Sequence, residues 1–338
     1  MRFIFLTIAL ACAMEATAQS PSTIDTDKVC RDTKVKPLTE PTINGPLSGK
    51  ALAECNTAGL YYGVFGNRKN LAAALQCGWY QRSHPEAGNK DGDMFHGVGM
   101  LTMLYANGLG GASQDYDLAI RFACEMGDAA DDNSRRIKHL DSLKNANPLN
   151  GTFGLCDDAG SRFAGFACQQ VTEDLRRGGR DKDLESISSK LTAPQKRVFD
   201  RLRAAEEAFE SARTDNEIDM TGAFRQSFVL EDLDRLREQF LINLQRFSKG
   251  DIPQATPADV RTLDARLNAE YQRIIQLPRS AFEDTTVKSE GIRVAQRAWI
   301  PLRDAWVEFA KSVYPKLSTD RVTAQIIRLR LDQLQKLP

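Results

Sequence analysis

The chain has 338 residues, of which 45 are Lys or Arg, 45 are Asp or Glu, seven are Cys and three are His. Hydrophobic residues make up 42% and charged residues 27%, which excludes collagen-like, disordered and multi-span membrane proteins. The formal net charge of zero argues against a nucleic-acid-binding protein, because such a protein needs a basic surface to hold a polyanion.

The N-terminus has the pattern of a secretory signal peptide. A basic residue, an apolar run over 3–14 and an A-x-A cleavage site at 16–18 follow one another. We predict cleavage after Ala18 and a periplasmic or secreted mature protein with no membrane span. A lipoprotein anchored through Cys12 is the alternative, but Ala9 stands where a lipobox has a large aliphatic residue.

Six cysteines remain in the predicted mature chain, and an even number in an exported protein predicts three disulfides. The sequence leaves their pairing open, although Cys156 and Cys168 are close enough to close a local loop. The closest spacing is 12 residues, so the C-x-x-C pairs of a zinc site are missing, and we predict no metal and no cofactor. The candidates are Cys30, Cys55, Cys77, Cys124, Cys156 and Cys168.

The distribution of Cys and His divides the mature chain into two parts. All three His and all six remaining Cys precede residue 169, whereas neither type occurs after it. The predicted parts are a signal peptide over 1–18, an extended segment over 19–50, a helical repeat region over 51–149, a helical region over 150–255 and a C-terminal domain over 256–338.

Residues 51–145 contain an internal repeat. Leu60-Tyr61 and Leu104-Tyr105 lie 44 residues apart, and the segments that begin at Asn70 and Asp115 lie 45 apart. The second copy resembles the Sel-one-like repeat, a relative of the tetratricopeptide repeat, in its L-Y-x-x-G-x-G turn and D-Y-x-x-A-I helix start. The resemblance implies helix pairs that bind a protein partner. A disulfide-linked helical module that only packs against the rest of the chain is the alternative.

From about residue 170 the apolar residues recur at intervals of three and four, and no segment alternates as a strand would. We therefore predict an all-α protein, in which antiparallel helical bundles follow the repeat-like region. Pro301 lies inside the clearest stripe and predicts a kink there. Capping residues, prolines and glycines divide this half into helices over about 192–212, 233–247, 256–274, 292–313 and 318–334.

A short pattern in this half occurs twice. The sequence A-x-x-A, an aromatic residue, three further residues and an Arg is found at 205–213 and again 90 residues later at 295–303. This repeated pattern predicts that residues 150–255 are a diverged copy of the C-terminal unit.

Three motifs lie within residues 256–338. They read D-x-x-L-N-x-x-Y from Asp264, A-Q-R-x-W-I-x-x-R-D from Ala295 and R-x-x-x-L from Arg330. Together they resemble the N-terminal domain family of the lysozyme inhibitor LprI, a family of small exported helical domains. Val307 stands where the family commonly has a disulfide-forming Cys. The motif positions are Asp264, Leu267, Asn268, Tyr271, Gln296, Trp299, Arg303, Asp304 and Arg330.

Most of these positions have a structural interpretation. Trp299 and Tyr271 fall on apolar stripes, so we predict that both are core residues. Arg303 is expected to form an ion pair with Asp304 or Asp264 that fixes helix register. No motif position has a neighbour in the sequence that would indicate catalysis, and we predict no catalytic residues.

The resemblance implies an exported non-enzymatic protein that binds a protein partner, such as lysozyme or another envelope hydrolase. A structural or scaffolding envelope component that binds through the repeat region is the alternative. A hydrolase is disfavoured because G-x-S-x-G, H-E-x-x-H and any His after 139 are missing, and the pair Glu206-Glu207 is expected on a solvated helix face. Residues 256–338 contain 14 Lys and Arg against 10 Asp and Glu, so charge would not steer this domain toward a basic lysozyme.

Overall fold

The computed structural model describes residues 24–35, 37–38, 45–87, 94–127, 129–146 and 152–337. Within these residues it contains helices and loops and no strand, which confirms the prediction of an all-α fold. The predicted signal peptide with its cleavage site after Ala18, and the alternative anchor Cys12, lie outside the described residues.

The predicted C-terminal helices correspond to α8 to α12, and α11 continues through Pro301 as one helix. Between the α-helices of the described chain lie a π-turn (Gly59–Gly63) and two 3-10 turns (Leu155–Asp158 and Arg279–Phe282). The α-helices are α1 (Thr26–Lys34), α2 (Gly49–Ala53), α3 (Leu71–Ser83), α4 (Val98–Asn107), α5 (Tyr116–Glu125), α6 (Ala130–Asn145), α7 (Arg162–Ser189), α8 (Ala193–Glu217), α9 (Arg225–Lys249), α10 (Pro257–Ile275), α11 (Ser289–Val313) and α12 (Thr319–Leu334).

The first hydrophobic core is formed by α3 to α6 together with the start of α7. Trp79, Leu104, Phe122 and Leu140 are among its buried side chains. The predicted three disulfides are present in this half. They attach α1 to α5, the segment after α2 to α3, and the first 3-10 turn to α7, through the pairs Cys30–Cys124, Cys55–Cys77 and Cys156–Cys168.

The period found in the sequence corresponds to a repeated backbone arrangement. Asn70 and Asp115 each cap the N-terminus of a helix with their side chains. The backbone N–H of Asn70 donates to the carbonyl of Leu60 at 2.7 Å, and that of Asp115 donates to Tyr105 at 2.9 Å. The turn of the second copy also touches the first, because a Cβ at Gly110 would collide with the carbonyl oxygen of Leu71 at the start of α3.

The second core contains side chains from α8 to α12, and α7 reaches both cores. Ala164 and Val171 of α7 belong to the first core, whereas Leu184 and Ile187 pack against the second. Helix α8 packs along α11 in an extensive contact. The predicted domain boundaries stay predictions. Central members of the second core are Leu202, Phe209, Leu244, Leu267, Trp299, Trp306, Phe309 and Ile327.

The junction between the first core and α7 is held by a buried carboxylate. Asp132, 1% exposed, accepts hydrogen bonds from the backbone N–H groups of Gly160 at 3.1 Å and Ser161 at 3.0 Å. It also forms an ion pair with Arg135. Burial by itself would raise the pKa of Asp132, but the hydrogen bonds from Ser161 and Gly160 hold that pKa below its ordinary value.

Replacement of Asp132 by Ala is expected to lower the free energy of unfolding by about 1–3 kcal/mol near neutral pH, because the backbone N–H groups of Gly160 and Ser161 lose a charged acceptor. The folded pKa lies below the unfolded one, so this contribution is present above the unfolded pKa of about 4 and is lost as the pH falls. Urea unfolding of wild type and of Asp132→Ala, at neutral and at acidic pH, measures this contribution to the free energy of unfolding. Asp131→Ala, at the exposed neighbouring position, should change little, and a similar loss in both variants would contradict the assignment.

Candidate functional site

The nine motif positions lie on α10, α11 and α12, but they do not form one site. Leu267 and Trp299 are core residues, 1% and 3% exposed, and Tyr271 is partly buried against the same core. On the surface of α10 the side-chain amide of Asn268 donates to the carboxylate of Asp264 at 3.1 Å. The first motif therefore combines packing with a local surface hydrogen bond.

Gln296 and Arg330 belong to a buried ion cluster, which also contains Arg213, Glu217 and Asp232. The guanidinium of Arg330 donates to both carboxylate oxygens of Glu217, at 2.5 and 2.9 Å, and to the amide oxygen of Gln296 at 2.9 Å. Arg213 donates to Glu217 at 2.8 Å and to both oxygens of Asp232, at 2.8 and 3.0 Å. All five side chains are buried.

The buried ion cluster joins four helices. Two of its members come from α8, and one each comes from α9, α11 and α12. The two buried guanidiniums and the two buried carboxylates balance in charge, and Arg235, which is exposed, also pairs with Asp232. Arg330 lies over the ring of Phe209, 5.3 Å from its centroid. Such a pairing offsets the loss of hydration only when the partners meet in one arrangement, so the cluster fixes how α12 sits against α8. We interpret these two motif residues as structural.

The third group of motif residues lies at the surface of α11. Arg303 forms an ion pair with Asp304 at a distance of 2.8 Å. Asp304 is one of the two aspartates that were predicted as partners of Arg303 from the sequence. Its guanidinium carbon lies 5.5 Å from the ring centroid of Trp299. Arg303 therefore covers the outer side of a core tryptophan and keeps its charge near water.

The solvent side of α11 carries apolar side chains that no other element covers. Val294 is 39% exposed and Ile300 is 42% exposed. Charged side chains flank them on the same surface. We call this surface the α11 face and define it by Val294, Arg297, Ile300, Pro301 and Asp304, all of which are exposed.

A large cavity of about 580 Å³ lies outside the motif region, between the turn after the π-turn, the start of α7 and residues 223–227. Phe65 and Phe163 in its lining are 41% and 49% exposed. Phe65 has a left-handed backbone with φ of +54°, which costs energy in a residue other than glycine, and its N–H donates to Asp174 at 2.7 Å. We call this cavity the aromatic groove and define it by Phe65, Arg162, Phe163, Phe166 and Arg225.

The expectation that Glu206 lies on a solvated helix face is wrong. Glu206 is 8% exposed, whereas its neighbour Glu207 is exposed as predicted. Sequence reasoning also missed Arg213, Glu217 and Asp232. A signal was present in α8, where the buried positions Phe199, Leu202, Glu206, Phe209, Arg213 and Glu217 follow one another at intervals of three or four.

Sequence comparison finds a similarity to a known family over the motif residues. The family model of the lysozyme inhibitor LprI matches residues 248–334. This LprI-like segment contains α10 to α12 and all nine motif positions, which confirms the resemblance predicted from the sequence. Three members of the buried ion cluster precede the segment, so the LprI-like segment completes its core with side chains from α8 and α9. Neither the curated proteins nor the solved structures give a significant match to the chain.

Two further classes of site are not found in the described part of the chain. No helix there combines the length and the apolar composition needed to cross a bilayer. Nor do three or more His, Cys, Asp or Glu side chains gather there in a way that could hold a metal ion.

Proposed function

We propose that this protein is an exported, non-enzymatic inhibitor that binds lysozyme or another hydrolase of the cell envelope. The observation that carries the proposal is the match of residues 248–334 to the LprI family, which is named for inhibition of an enzyme. The signal-peptide pattern at the N-terminus supports export to the periplasm or the medium. A protein partner, rather than a small substrate, follows from the same family.

The α11 face is the surface that we propose contacts the enzyme. It lies within the LprI-like segment and places Ile300 and Pro301 between the charged side chains of Arg297 and Asp304. An apolar centre with a polar rim is the usual anatomy of a protein interface. The opposite side of α11 is packed against α8, so little conformational entropy would be lost on binding.

Charge is not the driving force in this proposal. The C-terminal region carries four more basic than acidic residues, 14 against 10 over 256–338, and a basic lysozyme would gain nothing from the long-range field. Affinity would depend on burial of Val294 and Ile300. We therefore expect inhibition of a basic lysozyme to weaken little as salt is raised, in contrast to an interface steered by charge.

Replacement of Ile300 by Glu is expected to weaken inhibition by about tenfold or more, because an apolar anchor is exchanged for a charge that must lose its hydration. The measurement is residual activity of several lysozyme types against the oxidised chain 19–338. The full mature chain is required because α8 packs on α11 and Glu217 binds Arg330. Leu175→Glu is the matched control, since Leu175 is 47% exposed on α7, outside the LprI-like segment.

Absence of inhibition at micromolar excess of folded protein, for every lysozyme and envelope hydrolase tried, would contradict the proposed function. Inhibition that is equally strong in wild type, Ile300→Glu and Val294→Glu would keep the function but contradict the α11 face as its contact. Circular dichroism of each variant checks that the fold is retained.

The aromatic groove favours a second candidate function, that of an envelope scaffold. The groove presents two half-exposed phenylalanines, and its charged lining residues are Arg162 and Arg225. A partner segment with apolar and acidic side chains would complement it. Capture of an envelope protein by wild type but not by Phe163→Asp, with lysozyme inhibition absent in both, would support this candidate over the first.

A further inference from the structure

A second cavity opens between α7, α8 and α9 and is distinct from both surfaces above. Its volume is about 250 Å³. Leu184 and Phe240 supply apolar wall, and Glu206, Glu210 and Arg237 supply polar groups. We call it the Glu206 cleft and define it by these five residues. The other charged residues of the lining are Arg177, Arg180, Asp181, Arg203 and Glu207.

Glu206 is the anomaly in this cleft. Its side chain is more than nine-tenths buried, and within the described chain its carboxyl receives no hydrogen bond and forms no ion pair. A buried carboxyl without a donor is costly, because the lost hydration is not replaced. A ligand with a donor group would supply the hydrogen bonds that the carboxyl loses with its hydration.

The other buried charges near the cleft are compensated. Glu210 accepts from Arg237 at 3.1 Å. Arg180 of α7 donates to Glu173 at 2.8 Å and to Asp234 at 2.6 Å. Arg177 pairs with Asp174, and Arg203 lies 3.9 Å from the carboxylate of Glu207. The guanidiniums that line the cleft are therefore engaged with other carboxylates, and none of them forms an ion pair with Glu206.

The carboxylate of Glu210 is the charge that acts on Glu206. Burial and the charge of Glu210 raise the pKa of Glu206 well above its ordinary value, and no cation lowers it. Both effects favour the neutral form of the carboxyl in the free protein. A cation that enters between Glu206 and Glu210 would lower the pKa of Glu206 and so favour the ionised carboxylate.

The walls of the cleft indicate which cation fits. Leu184 and Phe240 would contact an aliphatic chain, and the face of an aromatic ring attracts an ammonium group. A metal ion needs more ligands than the two carboxylates, and the described residues provide no group of three. An organic cation on a short aliphatic chain therefore matches the cleft in both charge and shape.

We propose that the Glu206 cleft binds a primary alkylammonium group, held by the carboxylates of Glu206 and Glu210 with its aliphatic chain against Leu184 and Phe240. The group could belong to a small free amine or to a lysine side chain. Where Glu206 is protonated in the free protein, binding releases its proton, because the neutral carboxyl becomes a carboxylate and the ammonium keeps its charge. The site is independent of the proposed lysozyme contact, which lies on α11.

Calorimetric titration of the oxidised chain 19–338 with n-butylamine near neutral pH is the test. We expect saturable binding and, in two buffers of different ionisation enthalpy, release of up to one proton per amine bound, a number that falls as the pH is raised. Below the pKa of free Glu206, affinity should rise with pH. n-Butanol, which has the same chain and no charge, should bind at least about tenfold more weakly.

Variants locate the site and keep the proposal testable. Glu206→Gln and, independently, Glu210→Gln should weaken butylamine binding at least about tenfold, whereas Glu231→Gln, at an exposed position of α9 outside the cleft, should bind as wild type does. A short peptide with a central lysine, compared with the same peptide carrying norleucine, distinguishes a protein source from a free amine. No saturable binding, equal binding to butanol, or unchanged affinity in folded Glu206→Gln and Glu210→Gln would overturn the proposal.

Discussion

Replacement of Glu217 by Ala is expected to lower the free energy of unfolding by about 3–5 kcal/mol. Arg330 and Arg213 both donate to this carboxylate, and each is at most 4% exposed. Without Glu217 the two guanidiniums stay buried, and only Asp232 remains as a countercharge beside them. The change should appear in urea unfolding monitored by circular dichroism, as a lower midpoint with little change in slope.

A surface ion pair between the same two long helices provides the matched control. Arg201 of α8 pairs with Glu308 of α11, and both side chains are more than half exposed. Glu308→Ala should therefore cost less than about 1 kcal/mol. The double replacement Glu217→Leu with Arg330→Met should recover much of the loss, because an apolar pair of similar volume needs no countercharge. Equal effects of Glu217→Ala and Glu308→Ala would contradict the role of the buried ion cluster.

Removal of the disulfide between Cys30 and Cys124, by replacing both with Ser, is expected to cost about 4–5 kcal/mol. The bond spans a sequence separation of 94, the longest of the three, and it attaches α1 to α5. In the chain-entropy account, a longer closed loop restricts the unfolded chain more strongly. The variant should unfold at lower urea concentration than the oxidised wild type.

The matched comparison is the bond between Cys156 and Cys168, whose separation is 12 and whose removal should cost about 3 kcal/mol. Hydrogen exchange read peptide by peptide locates the effect. Loss of the longer bond should speed exchange in α5, within the first core, and leave α11 protected, since α11 belongs to the second core. A larger cost for the shorter loop, or equal acceleration in α5 and α11, would contradict this expectation.

The two long helices of the second core show how far a pattern in the sequence can be read. In α11 the apolar stripe is unambiguous, and its members Ile292, Trp299, Trp306 and Phe309 are all buried. In α8 the buried apolar residues, such as Leu202 and Phe209, form only part of the buried face. The buried face there continues through charged residues, which a search for apolar periodicity leaves out.

The disulfides illustrate the same limit. The number of cysteines and the export signal predicted three bonds, and three are present. The pairing of Cys30 with Cys124 could not be predicted, because it depends on the packing of α1 against α5 over a long separation. Only the short loop of Cys156 and Cys168 was indicated by spacing.

The sequence by itself determined the helical class, the main helices, the disulfide-bearing half and the LprI-like motifs. These properties depend on local patterns of apolar, capping and motif residues, which are readable within a few turns of helix. The tertiary structure decided which charges are buried together. Glu217 meets Arg330 across a separation of 113 residues, and Glu206 faces a cleft made by three helices. Burial depends on which helix faces pack together, and that is a property of the whole fold rather than of any one segment.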